Sequence, residues 1–173
     1  MSHKTYKLCP KLPPRVSHAL KWITNILDKE QISYQICGGV SARFFGAKRP
    51  INDIDIDIKE ADFPKLHKLI KSFVMYGPEI YRDKKWDVLM MSLVYKNQLI
   101  ELTNADNAKI FDAEVSKWKI FKYNLRNVYT VSWGENQIKL MGPKNIIEYK
   151  KLLDGEKQIK DIGAIEKYLQ TNR

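Results

Sequence analysis

The stretch Ile36-Cys37-Gly38-Gly39-Val40-Ser41, followed after a short basic loop by Arg49-Pro50-Ile51-Asn52-Asp53-Ile54-Asp55-Ile56-Asp57-Ile58, decides the fold. An apolar strand runs into a Gly-Gly turn, and carboxylates then alternate with isoleucines. Successive side chains of a β-strand point to opposite faces, so Asp53, Asp55 and Asp57 share one face while Ile54, Ile56 and Ile58 share the other. Three carboxylates in a row resist ionising together unless a cation sits among them. The first expectation is therefore a divalent-metal site on this strand.

Working outward, 173 residues suit one domain with a real core. With 44% hydrophobic and 11% aromatic residues, the composition is that of an ordered, globular chain. No apolar run approaches the ~20 residues of a membrane helix, and Met1–Pro14 lacks the apolar core of a signal peptide. Cys9 and Cys37 make neither a disulfide framework nor a zinc quartet, which points to a reducing, cytoplasmic setting and no membrane partner. The net charge is +10, from 30 Lys+Arg against 20 Asp+Glu. That excess favours polyanionic partners such as nucleotides or RNA, although a solvated lysine surface gives the same count.

Along the chain, Pro13-Pro14 opens an amphipathic helix to about Lys29, with Val16, Leu20, Ile23 and Leu27 on one stripe. Ser33–Cys37 is a strand, Val40–Phe45 a short helix stopped by Gly46, and Asp53–Ile58 the acidic strand. Asp62-Phe63-Pro64 starts a helix with Leu66, Leu69, Ile70 and Phe73 inward. Gly77-Pro78 reads as a loop. Trp86–Tyr95 and Gln98–Thr103 form a hairpin at Lys96-Asn97. The run from Asp106 to about Trp118 reads as helical. Val128–Trp133 and Gln137–Met141 form another hairpin. Gly142-Pro143 opens a helix to Asp154, and Gln158–Gln170 is a last helix with Ile159, Ile162, Ile165 and Leu169 inward. The expected class is α+β: a small mixed β-sheet core flanked by helices, with a helical C-terminal end. The expected domain is single, residues 1–173, with a core at about 13–118 and a C-terminal hairpin and helices at about 119–173.

Several chemistries drop out. An EF-hand needs Gly at loop position six and Glu at twelve, and counting from Asp53 these are Ile58 and Pro64. No GxSxG, Walker A, HExxH or paired CxxC motif is present. His3, His18 and His67 have no partners at ligand spacing and read as surface residues. An edge strand with a polar outer face also explains an alternating acidic run, but not one preceded by a Gly-Gly turn at this distance.

Gly38-Gly39, thirteen residues, then Asp53-Ile54-Asp55-Ile56 resembles the signature of the DNA polymerase β-type nucleotidyltransferase superfamily. The segment Arg49-Pro50-x-x-Asp53-Ile54-Asp55 is similar to that of lincosamide and aminoglycoside nucleotidyltransferases and of AbiEii-type nucleotidyltransferase toxins. The resemblance covers Tyr34–Ile58 well and thins towards the C-terminus, where Ile146–Lys151 and Lys157–Ile165 are weakly similar to the closing helices. It implies an NTP-dependent, Mg²⁺-dependent enzyme (two ions, with Mn²⁺ as a substitute) that moves a nucleoside monophosphate from an NTP such as ATP to an acceptor hydroxyl and releases pyrophosphate. By the same resemblance, counting from Gly39 puts the metal-ligand pair at Asp53 and Asp55, with Asp57 supporting them or lying at the surface. The third carboxylate is expected from a neighbouring strand; Glu101 in Leu99-Ile100-Glu101-Leu102 fits, with Asp87 and Asp83 as alternatives. Gly38, Gly39, Ser41, Lys48, Arg49 and Lys150 would then meet the nucleotide, although Lys150 reads equally well as a solvated lysine. Ile51 stands where many members carry Thr or His, and Gly39 where many carry Ser. The acceptor is a small hydroxylated molecule, an RNA end or a protein, with the basic surface favouring nucleic acid, and the resemblance to toxins brings in an antitoxin-like protein partner. The competing reading is a non-catalytic nucleotide- or RNA-binding module of degenerate nucleotidyltransferase fold.

Overall fold

The computed structural model describes residues 6–8, 10–126 and 128–172; His3 and Cys9 lie outside them. In chain order the elements are β1 (Tyr6–Lys7), α1 (Pro14–Lys29), β2 (Tyr34–Ile36), α2 (Gly38–Phe44), β3 (Asp53–Ile58), α3 (Phe63–Ile70), β4 (Val74–Arg82), β5 (Trp86–Tyr95) and β6 (Gln98–Asn104). They continue with β7 (Ala108–Asp112), β8 (Lys117–Phe121), β9 (Tyr129–Trp133), β10 (Asn136–Leu140), α4 (Pro143–Lys151) and α5 (Glu156–Thr171). The strands make one mixed sheet in the order β1-β9-β10-β2-β3-β6-β5-β7-β8, with β4 paired to β5 as well. No helix among the described residues is long and apolar enough to cross a membrane.

The acidic strand lies near the middle of this sheet. It runs antiparallel to β2 and parallel to β6. Its isoleucine face is sealed: Ile54, Ile56 and Ile58 are fully buried beside Ile100, Leu102 and the α1 stripe of Val16, Leu20, Ile23 and Leu27. Burial of each such side chain contributes roughly 1.5–3 kcal/mol, which offsets the cost of a second face whose carboxylates repel one another. The hairpin at Lys96-Asn97 forms as expected, and both turn residues adopt positive φ (48° and 60°), the conformation a two-residue hairpin loop requires.

Four expectations fail, each for a tertiary reason. The segment Asp106–Trp118 is the β7–β8 hairpin rather than a helix. Ala108, Ile110 and Asp112 alternate inward, Trp86 of β5 pairs with Ile110, and Asp112 accepts the Glu114 N–H in the turn. Asp106, at the start of this segment, accepts a hydrogen bond from the Glu60 backbone N–H. Gly77-Pro78 is no loop but an interior part of β4, where the register with β5 shifts. Proline, which has no N–H to donate, is tolerated at such an irregularity because the ladder is interrupted there and needs no donor. Leu69 and Ile159, expected inward, are exposed at 49% and 71%. In α5 the buried residues are Gln158, Asp161 and Ile165, so this helix turns a polar edge towards the protein. In α4 they are Pro143, Ile146 and Lys150.

Candidate active site

Strand register assembles the carboxylates. The β3–β6 ladder sets Asp53 beside Leu99, Asp55 beside Glu101 and Asp57 beside Thr103. Asp55 and Glu101 therefore share a face on adjacent strands, and each of Asp53, Asp55 and Glu101 offers an oxygen within 4.8 Å of the others. Among the described residues none forms an ion pair with these three. Burial first, then the charges of Asp53 and Glu101, push the Asp55 carboxyl up to about 7. Burial and Asp53 also raise Glu101. An oxygen-only donor set, mutually repelling and without an ion pair among the described residues, fits a hard divalent cation such as Mg²⁺. The two alternatives for the third carboxylate are otherwise engaged: Asp87 pairs with Arg82 and Lys109, and Asp83 accepts the backbone N–H groups of Lys85 and Trp86.

The glycine turn is shaped around this cluster. Gly38 has φ +56°, and a Cβ there would lie 1.6 Å from Asp55 Oδ2. Only a residue without a side chain lets α2 begin directly against the carboxylate. At Gly39 a Cβ would meet Arg49 Nη2 at 2.7 Å, so the guanidinium occupies the space that a serine would take. Ile51 is buried and apolar, and only its carbonyl is used, accepting from Arg15.

Asp57 is not a surface group. It is buried; Gln35 donates to one oxygen and Thr103 to the other, both at 2.8 Å. This polar row crosses β2, β3 and β6, and burial raises Asp57 to about 6 against those hydrogen bonds.

A cleft of about 160 Å³ is lined by Gly38, Gly39, Asp53 and Asp55 on one side and by Arg49, Lys150 and Gln158 on the other. Lys150 is buried rather than solvated, with Nζ 2.8 Å from Asp161 Oδ2 and 3.0 Å from Gln158 Oε1. Two expected residues are not at this cleft. Ser41 is buried, its hydroxyl donating to the Met141 carbonyl and its N–H to that of Cys37, so it ties α2 to the end of β10. Lys48 is exposed and lines a separate outer groove against α5. Asp161, Gln158 and Tyr149 had drawn no attention as site residues in the sequence, because α5 carries other acids and another glutamine and its apolar residues suggested a different inward face.

Beyond Asp55, Trp86 and Tyr149 lies a second cavity of about 440 Å³. Aromatic and aliphatic side chains such as Phe121, Tyr123, Val88 and Ile110 form its walls, Glu101 and Asp83 are also exposed to it, and no Lys, Arg or His among the described residues lines it.

The triad and the glycine turn sit on a fold shared with solved structures of nucleotidyltransferases. No known family profile matches the chain, and no curated protein matches its sequence. Solved structures do. A Thermotoga maritima protein carrying a provisional nucleotidyltransferase assignment superposes with TM-score 0.71 at 17% identity, over 94% of this chain and 98% of that one. A lincomycin-bound lincosamide antibiotic adenylyltransferase gives 0.59 at 13% identity, over 87% and 96%. An aminoglycoside-resistance protein in complex with adenylyl-2″-tobramycin gives 0.56 at 13% identity, over 88% of each chain.

The raised carboxyls set a pH dependence. In the metal-free protein the folded chain holds more protons than the unfolded chain between about pH 4 and 7, because Asp55 and Glu101 titrate higher when folded. Their contribution to stability is therefore complete at low pH and is lost as pH rises through about 7. A bound cation reverses the penalty. The gain in melting temperature from Mg²⁺ is expected to be largest near pH 8 and to shrink below about pH 6 in thermal melts. A gain independent of pH would contradict this.

Proposed function

We propose that the protein is a Mg²⁺-dependent nucleotidyltransferase that moves a nucleoside monophosphate from an NTP to the hydroxyl of a small-molecule acceptor, with release of pyrophosphate. One observation carries the reading: the converging carboxylates of Asp53, Asp55 and Glu101 sit against a glycine turn that has no room for a side chain. The fold shared with structures of two antibiotic-modifying proteins supports it.

Asp53, Asp55 and Glu101 would hold the metal ions. Magnesium bound there would polarise the α-phosphate, acidify the acceptor hydroxyl and balance charge on the leaving pyrophosphate. Gly38 and Gly39 admit the phosphates to close range, while Arg49 and Lys150 face them with positive charge. Glu101, which belongs to the triad and also lines the larger cavity, would receive the proton of the acceptor hydroxyl in this reading. Trp86 and Tyr149 border both the phosphate cleft and the acceptor cavity, so a nucleotide and an acceptor held in them would meet beside Asp55.

The cavity favours a small acceptor over an RNA end. Its volume suits one drug-sized molecule, and in a chain of charge +10 its described lining carries acids but no basic residue. A phosphodiester chain would be repelled there; an amine-bearing, hydroxylated molecule with an apolar face would not. The whole chain works as one unit in this reading, since α5 supplies Gln158 to the cleft. The unpaired, buried Cys37 thiol suits the cytoplasm.

The test incubates α-labelled NTPs and Mg²⁺ with aminoglycosides, lincosamides and total RNA in parallel. Label on a small molecule, with pyrophosphate released, is the expected result. Label on RNA alone would overturn the acceptor assignment. Transfer to nothing, with Mg²⁺–NTP binding intact, would favour a binding module instead.

A further inference from the structure

We propose that Asp161 is a positioning residue: without touching the nucleotide, it holds Arg49 and Lys150 in the arrangement that grips the phosphates. The inference rests on the transfer reading above and adds to it a role for the C-terminal helix. A single oxygen, Asp161 Oδ2, lies 2.8 Å from Arg49 Nε and 2.8 Å from Lys150 Nζ. The carboxylate is 1% exposed, and the lysine ammonium beside it is equally withdrawn from solvent.

The three charges come from three separate parts of the chain: the loop before β3, helix α4 and helix α5. The cations reach the cleft beside Gly39 and Asp55, whereas Asp161 does not line that cleft and borders the outer groove behind it. Arg49 leans on Asp161 through Nε, leaving Nη2 over Gly39 at the place where a Cβ would come within 2.7 Å. Apart from this, its side chain makes one hydrogen bond, to the Pro50 carbonyl. Lys150 is fixed by Asp161 and Gln158 together. Two cations on one anion leave a net positive charge facing the cleft, set to a fixed geometry before any ligand arrives.

Two roles for a buried acid here predict opposite signs. If Asp161 were only an electrostatic counterweight, removing its charge would tighten the binding of a polyanion. If it positions the cations, removal releases both and binding weakens although attraction at a distance has grown.

The experiment titrates the full chain with Mg²⁺ and inorganic triphosphate by calorimetry, and with Mn²⁺ alone, comparing wild type, Asp161→Asn and Asp161→Glu. D161N is expected to weaken triphosphate binding by about 10- to 100-fold while leaving Mn²⁺ binding to the triad unchanged. D161E, which keeps the charge but displaces the oxygen by one methylene, should fall between the two. Equal or tighter triphosphate binding by D161N overturns the proposal, as does wild-type affinity in D161E. Should D161N fail to fold, D161E decides alone, because a counterweight would survive that change and a positioning contact would not. A wild type that binds Mn²⁺ but no magnesium triphosphate would instead sink the transfer reading itself.

Discussion

Asp55→Asn is expected to raise the melting temperature of the metal-free protein and to abolish the further rise that Mg²⁺ with NTP gives the wild type. The two effects share one cause. Asp55 is pushed up to about 7 by burial and by the charges of Asp53 and Glu101, so its ionised form destabilises the empty site at neutral pH. Asparagine keeps the shape and removes the charge. Each kcal/mol of relieved repulsion is worth about 2–4 °C in a chain of this size. The cost falls on function: loss of a shared metal ligand should lower transfer by more than ~100-fold, beyond the 10–100-fold scale seen when only a residue supporting a ligand is lost. Melting curves at about pH 8 with and without Mg²⁺, and the label-transfer assay, read both effects. A mutant that melts lower without metal, or keeps its Mg²⁺ gain, would remove Asp55 from the metal site.

The second large effect is expected at Gly38. Alanine there must adopt φ +56° and place a methyl 1.6 Å from Asp55 Oδ2. The left-handed backbone alone costs about 1–2 kcal/mol, and the collision forces either α2 or the carboxylate to move. Gly38→Ala should lose at least ~4 °C in melting temperature together with its Mg²⁺ response. Gly39→Ala provides the contrast. Its Cβ meets only the flexible end of Arg49, at 2.7 Å, so metal binding and fold should survive while affinity for magnesium triphosphate falls. Equal behaviour of the two mutants would mean that contact with Asp55 is not what Gly38 is for.

Local patterns carried far in this chain. The Ile/Asp alternation of β3, the apolar stripe of α1 and the Lys96-Asn97 turn are periodic or conformational signals that tertiary contacts had no cause to override. The β7–β8 hairpin was hidden because its residues favour a helix nearly as well, and pairing with β5 decided otherwise. In α5, counting apolar residues selected a stripe that includes Ile159, whereas Asp161 and Gln158 turn inward because Lys150 and Arg49 wait there.

The sequence by itself determined the Gly-Gly turn and the alternation of the acidic strand, since each rests on a pattern within one short segment; the preference for Asp53 and Asp55 over Asp57 came from the resemblance to a known signature. Only the tertiary structure decided three further things. It put Glu101 beside Asp55 through the β3–β6 register, and it turned Ser41 onto Met141 while leaving Lys48 outside the cleft. It also joined residues 49, 150 and 161 on one buried oxygen. Contacts between segments a hundred residues apart depend on register and helix rotation, and neither leaves a local mark in the chain.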